Sequence, residues 1–254
     1  MERIFEGQTA IISGGMGDIG FATARELAKL GANVALCGTR TPDTFGDQIA
    51  LLETCRVQVD YQRVDVADAV AVQRWIETVN ESLGIATLII ANAAVTRFAG
   101  IHEITADEWL ADMNINLNGA FYMTQSATAC LLKEKLPGRV VFVGSWAATH
   151  VHAHMPAYSV SKAGMSMLCK CMALELAPHR ILVNEIAPGY VNAGLSGRYL
   201  ENNPDKVDEI TQRVPIKQLM TAEEVAKQIV FLCHPENRQM TGSTLLMDGG
   251  LSLK

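Results

Sequence analysis

"TAIISGGMGDIGFATARELAKLGANVALCGTR", residues 9–40, sets two short apolar runs, TAIIS and NVALC, on either side of a stretch whose apolar residues recur at helical spacing. Between the first run and that helix lies a glycine-rich turn, SGGMGDIG, at 13–20. Strand, turn, helix and strand make one βαβ unit, in which the two strands run parallel. The alternation continues outward through TFGDQIALLETC, VQVDYQRV, AVAVQRWIETVNESLG and the buried strand ATLIIANA. A capping box from Thr105 to Glu108 then opens a long helix running to about residue 135. The strand GRVVFVGS, a helix from about Pro156 to Ala177 and the strand ILVNEIA follow. After APGY the pattern breaks into a segment of mixed polarity with Gly194 and Gly197 near its start, read as a substrate lid over about 193–215. A second capping box, Thr221 to Glu224, begins a last helix, and STLLMDGG a last strand. With no repeat or internal boundary, the expectation is an α/β fold: one doubly wound parallel sheet with helices on both faces, in a single domain over 1–254.

Composition agrees. Of 254 residues 49% are hydrophobic and 19% charged, enough to bury a large core. The net charge of −6 and the scattered Lys and Arg leave no basic footprint for nucleic acid. No apolar run approaches the roughly 18 residues that span a bilayer, and MERIFEGQTAII lacks the basic region and longer apolar segment of a signal peptide. A cytoplasmic protein without membrane partners is expected. Cys37, Cys55, Cys130, Cys169, Cys171 and Cys233 have no CxxC spacing and are expected to be free thiols.

In an open α/β sheet ligands bind outside the carboxyl ends of the strands, so the strand-to-helix turns carry the chemistry. The glycines of 13–20 let backbone approach a pyrophosphate at a helix N-terminus. Asp65 and Val66, ANAA at 91–94, Asn116 in INLNGAF, Ser145 in GSWAA, Tyr158 and Lys162 in YSVSK, APGYV at 187–191 and TGSTLLMDGG at 241–250 follow at later exits. Each alone is a common local feature, but in this order and spacing the chain resembles the short-chain dehydrogenase/reductase family over its full length. The first turn is similar to the family's TGxxxGxG, with Ser13 for threonine, Gly14 and Gly20 for the outer glycines and Asp18 for the middle one.

The resemblance implies an NAD(P)-dependent oxidoreductase that interconverts a secondary alcohol and a ketone by hydride transfer, with a Rossmann-type fold. Its catalytic residues would be Tyr158 as general acid/base, Lys162, Ser145 holding the substrate oxygen, and Asn116 supporting a water in the proton relay. Tyr158 and Lys162 are four apart on one helix face, so the ammonium can lie near the phenol and make it more acidic. The coenzyme would lie along Ser13, Gly14, Gly17, Asp18, Ile19 and Gly20, then Gly38, Thr39 and Arg40, Asp65 and Val66, Asn92, Ala93 and Ala94, and Pro188, Gly189 and Val191, besides Tyr158 and Lys162.

Three departures from the family pattern bear on the coenzyme. Asp18 fits if it sits near the left-handed region and its carboxylate points away from phosphate. Ala91 and Ala94 lose an amide and a glycine, and Ala193 stands where a threonine hydroxyl often faces the nicotinamide. At the end of the second strand Gly38 replaces the acid that repels a 2′-phosphate, and Arg40 either pairs with that phosphate or points into solvent. NADP(H) is thereby favoured over NAD(H).

HVHAHM, 150–155, links Ser145 to Tyr158. In a strand, His150, His152 and His154 would share one face and approach a zinc ion, which also needs a further ligand that the segment lacks. Substrate contact and a solvated loop are the other readings. Candidate substrate residues are Trp146, His150, His152, Met155, Tyr190 and Asn192, with Leu195 and Tyr199 on the lid; their aromatic and polar mixture suits a ring bearing hydroxyl or carbonyl groups. A coenzyme-binding regulator that lost turnover, suggested by the altered glycine turn, and a zinc hydrolase are the alternatives. The resemblance also implies a homotetramer.

Overall fold

The computed structural model describes residues 2–253. Seven strands form one parallel sheet in the order β3-β2-β1-β4-β5-β6-β7. They are β1 (Thr9–Ser13), β2 (Asn33–Gly38), β3 (Val59–Arg63), β4 (Ala86–Ala91), β5 (Gly138–Val143), β6 (Ile181–Pro188) and β7 (Thr244–Met247). The order reverses between β1 and β4, and the crevice of such a sheet opens at that reversal.

Both faces are covered over the central strands, which is why β1, β2 and β4 read as continuous apolar runs rather than alternating ones, whereas the edge strands β3 and β7 are only partly buried. Successive side chains still point to opposite faces. Ala10 and Ile12 of β1 face Leu36, Leu88, Ile90, Val141 and Ile186 on one side, under α1 (Asp18–Lys29), α2 (Gly46–Glu53) and α9 (Ala222–Cys233). Ile11 faces Ala35, Ile89, Val140 and Phe142 on the other, under α3 (Ala69–Ser82), α5 (Gly119–Glu134) and α6 (Pro156–Leu176). The second core is anchored by Trp75, Met123, Met165 and Leu131, all essentially buried.

Both capping boxes form: Thr105 and Glu108 start α4 (Ala106–Met113), and Thr221 and Glu224 start α9. The long helix expected after Thr105 is interrupted, because a π-helical segment, Asn114–Asn118, separates α4 from α5. Such segments hold one residue more per turn than an α-helix and concentrate at functional sites. Residues 193–215 form α7 (Gly194–Asn202) and α8 (Val207–Arg213), joined by a short 3-10 turn at Pro204–Lys206. The histidine segment is not a strand: it is a loop in which His154 has a φ of +60°. All six cysteines are free thiols.

Candidate active site

β1 delivers Ser13 and Gly14 to the sheet's upper edge. Gly14 has a φ of +61°, which only glycine adopts freely, and a Cβ on Gly20 would lie 2.3 Å from its carbonyl oxygen. The Asn92 amide donates to the carbonyls of Ser13 (2.9 Å) and Gly14 (3.1 Å), while the Ser13 hydroxyl accepts from the backbone N–H of Asn92 and Ala93 at 3.0 and 3.1 Å. The exits of β1 and β4 are thus locked together by Ser13 and Asn92, two of the residues the turn motifs singled out.

Asp18 departs from its expectation. It is not left-handed but is the first residue of α1, where its negative charge complements the helix dipole. Its carboxylate reaches across to accept from the Gly194 N–H at 2.6 Å, tying the first turn to the start of α7. The carboxylate is therefore directed at α7. No side chain caps α1, and Gly14, Asp18 and Ile19 line the cleft beside it. An uncapped helix start behind a turn that cannot accept a Cβ at Gly20 fits the pyrophosphate of a dinucleotide.

β5 ends at Val143, and the next residues, Gly144 and Ser145, carry the chain into a 3-10 turn at Trp146–Ala148. Ser145 caps that turn, its hydroxyl accepting from Ala147 N–H at 3.2 Å. Helix α6 opens with Pro156 and brings Tyr158 up beside Ser145, whose hydroxyl acts on the phenol. Burial nonetheless pushes the Tyr158 phenol above its ordinary range, the Ser145 hydroxyl opposing. Lys162, 1% exposed, donates to the Val143 carbonyl at 2.8 Å and stands 5.6 Å from the centroid of the Tyr158 ring. Burial pulls its ammonium down to about 8, with the charge of Glu185 opposing. The end of β5 thus holds the Lys162 ammonium close to the Tyr158 ring.

The Asn116 side chain holds the β4 exit against α6. Its amide accepts from Val95 N–H (2.8 Å) and donates to the Val95 carbonyl (2.9 Å) and the Ser161 hydroxyl (3.1 Å). Ser161 passes the tether to the Tyr158 carbonyl at 2.8 Å.

These groups meet in one cleft of about 470 Å³. Its lining includes Gly14, Asp18, Ile19, Asn92, Ala93, Ala94, Ser145, Tyr158, Lys162, Pro188, Gly189 and Val191 from the expected catalytic and coenzyme residues, and Trp146, His152, Met155, Tyr190, Leu195 and Tyr199 from the expected substrate wall. Trp146 stacks on His150 and meets the edges of His152 and Tyr190 at 5.9 and 5.6 Å, while Phe98 and Tyr199 face each other at 5.3 Å. Two expected wall residues fall outside the lining: His150 stands behind Trp146, and Asn192 is exposed, its N–H bonded to Met220. Thr96 and Phe98 line the cleft without having been foreseen, joined by His154 of the histidine run and by Lys206, Glu209, Ile210 and Arg213 of the segment 193–215, none of them named singly as a wall residue. An aromatic such as Phe98 just past a strand exit was the available signal. The described residues hold no group of three or more His, Cys, Asp or Glu able to bind a metal.

The ends of β2 and β3 lie beside the first turn, outside this lining. Gly15 N–H bonds the Cys37 carbonyl, and Val64 N–H the Gly38 carbonyl, which places Gly38, Thr39, Asp65 and Val66 next to it. Arg40 is exposed but held against the protein surface. Its guanidinium donates to the Met16 carbonyl at 3.1 Å and lies 4.5 Å from the centroid of Phe45, whose ring holds it over the first turn.

Residues 15–252 match a family model described as enoyl-(acyl carrier protein) reductase. The chain is similar to a 3-oxoacyl-(acyl-carrier-protein) reductase, FabG, of Thermotoga maritima, 31% identical over 247 residues, covering 97% of this chain and 98% of the relative. It is also similar to carbonyl reductase (NADPH) 2 of Sus scrofa, 30% identical over 250 residues and 98% of both chains. A solved structure from Agrobacterium tumefaciens with bound NADP superposes with a TM-score of 0.89 at 27% identity, covering 99% of each chain. The chain belongs to the short-chain dehydrogenase/reductase family, NAD(P)-dependent oxidoreductases that act on CH–OH and C=O groups.

Proposed function

We propose that this chain reduces a small ketone, and oxidises the corresponding secondary alcohol, with Tyr158 as the proton-transferring group and NADP(H) as the preferred coenzyme. The observation that carries the reading is the meeting of Ser145, Tyr158 and Lys162 at the foot of the cleft that the glycine turn also lines. A bound nicotinamide coenzyme supplies or takes up the hydride. The protein's part is acid–base and positional. Tyr158 gives its proton to the substrate oxygen in reduction and takes it back in oxidation, and Ser145 steadies that oxygen and the phenol together. Lys162 sets the local charge and is the group in reach of a coenzyme ribose. Ser13 and Asn92 fix the turn against which the pyrophosphate would rest.

The aromatic wall of Trp146, His152, Tyr190, Phe98 and Tyr199 supports a ring or short apolar body carrying polar groups. The region 193–215 is proposed to close over it. In that case hydrogen exchange in α7 and α8 falls when coenzyme and substrate are added together, and unchanged exchange in both helices overturns the closure.

Support for NADP(H) comes from Arg40, aligned over the first turn with no acid at Gly38, and from the NADPH in the name of the Sus scrofa relative. Reduction of a ketone panel is to be followed by loss of reduced-nicotinamide absorbance with each coenzyme. Arg40→Ala is expected to lower kcat/KM for NADPH about 10-fold, the worth of one charge-assisted contact, and to leave NADH use nearly untouched. Equal losses with both coenzymes would assign Arg40 to the fold alone.

A homotetramer is proposed as well. The outer faces of α4–α6 expose Leu110, Phe121, Leu132, Val160, Met167 and Leu174, while α9 exposes Phe231, β7 Leu246 and the C-terminal turn Leu253. Two apolar surfaces on one chain are what a twofold-by-twofold assembly buries; the mass in solution tests it. No helix among the described residues is long and apolar enough to cross a membrane, and a cytoplasmic location is part of the same proposal.

A further inference from the structure

β6 is buried along all eight residues, yet it carries a carboxylate, Glu185, at 0% exposure. A buried carboxylate is costly unless bonded and compensated. The bonds are present: the Ser166 hydroxyl stands 2.7 Å from both oxygens, and the Thr244 hydroxyl donates to Oε2 at 2.7 Å. Space is present too, because Gly144 has no side chain; a Cβ there would lie 1.9 Å from Glu185 Oε1. Hydroxyl donors satisfy the oxygens but leave the charge standing.

The compensating charge is on the neighbouring helix. Lys162 is the one buried cation among the described residues, and Ser166 lies one turn beyond it on the same face of α6. The carboxylate is also packed against the residue between Val143, whose carbonyl holds Lys162, and Ser145. We propose that Glu185 is a positioning residue for the reaction: its buried carboxylate is the counter-charge of the Lys162 ammonium. This rests on the acid–base reading given above. Through Ser166 and Gly144 the same group fixes how far α6 stands from the end of β5, and hence the spacing of Lys162 and Ser145.

The ionisable groups acting on this pair are few. Tyr158 comes from α6 itself and Glu185 from β6, while the end of β5, the Trp146–Ala148 turn and the π segment bring only neutral groups. On α4, Asp112 is paired with Arg97. Cys169 of α6 lies near Glu185, but its thiol is pushed up to about 12 by burial first and by that carboxylate second, and stays neutral. Lys162, drawn down by burial, is raised by Glu185.

Two measurements test the pair. In Glu185→Gln the alkaline limb of kcat/KM for ketone reduction should move down by about one pH unit or more, whereas Glu185→Asp, which keeps the charge, should retain the wild-type limb. A merely structural Glu185 would lower the melting temperature and leave the limb where it was, which overturns the proposal. The second measurement uses the full chain without coenzyme: melting temperatures of Glu185→Gln, Lys162→Met and the double variant. Coupling requires the double variant to lose less than the two single losses together, and additivity overturns it. Should Glu185→Gln alone not fold, the double variant with Lys162→Met decides: a pair of counter-charges removed together should restore folding, and a double variant that also fails to fold overturns the proposal. A turnover-competent Tyr158→Phe would instead remove the acid–base reading and leave the melting cycle interpretable.

Discussion

Replacing Tyr158 with phenylalanine is expected to lower kcat by about 100-fold or more while coenzyme affinity stays within a few-fold of wild type, since general acid–base groups contribute on the order of 10² to 10⁴. The substitution removes one oxygen and leaves the ring, which packs between Ser145 and Lys162. Because burial holds this phenol above its ordinary range, with the Ser145 hydroxyl opposing, it stays protonated through neutral pH, the state that ketone reduction needs. Alcohol oxidation needs the phenolate and should rise with pH over the same range. Steady-state rates in both directions and coenzyme titration of the same sample check the expectation. A variant keeping a tenth of wild-type kcat would place the acid elsewhere in the cleft.

Gly20→Ala is expected to weaken coenzyme binding by about 10-fold or more and to cost about 1–3 kcal/mol of stability, the range for overpacked sites. The added methyl would fall 2.3 Å from the Gly14 carbonyl oxygen and 2.9 Å from Gly15 Cα, both main-chain atoms that cannot swing aside as a side chain does. That carbonyl also accepts from Gly17 N–H and from the Asn92 amide, so displacing it loosens the turn and its tie to β4 together. Fluorescence titration with reduced coenzyme and thermal unfolding measure the two effects. Wild-type values in both would mean that α1 can move off the turn without cost.

The parallel sheet was legible because its central strands are covered on both faces, so runs such as TAIIS, NVALC and ATLIIA stand out between turn residues, although their order in the sheet was not. Glycine, serine, tyrosine and lysine at successive strand exits marked the cleft for the same reason: the exits converge whatever the intervening helices do. What the sequence did not show depends on direction in space. Asn116 marks the right place, but only the π segment turns its amide onto Val95 and Ser161. Asp18 looked like a misplaced charge until the fold brought Gly194 to within 2.6 Å of it, 176 residues away. The three histidines, alternate in sequence, separate because their loop is not extended. Glu185 gave no signal, since a lone acid in an apolar strand says nothing about the glycine and hydroxyls that surround it in the fold.

The π segment at Asn114–Asn118 has a further consequence. An α-helix advances about 100° per residue, so one extra residue re-phases everything beyond it. Before it, α4 turns Asp112 inward to Arg97 and thereby anchors the loop leaving β4; after it, α5 turns Met123, Ala127 and Leu131 into the core. The two halves of one rod are thus clocked differently: the face that ties down the loop bordering the cleft belongs to α4, and the apolar face on which the sheet depends belongs to α5.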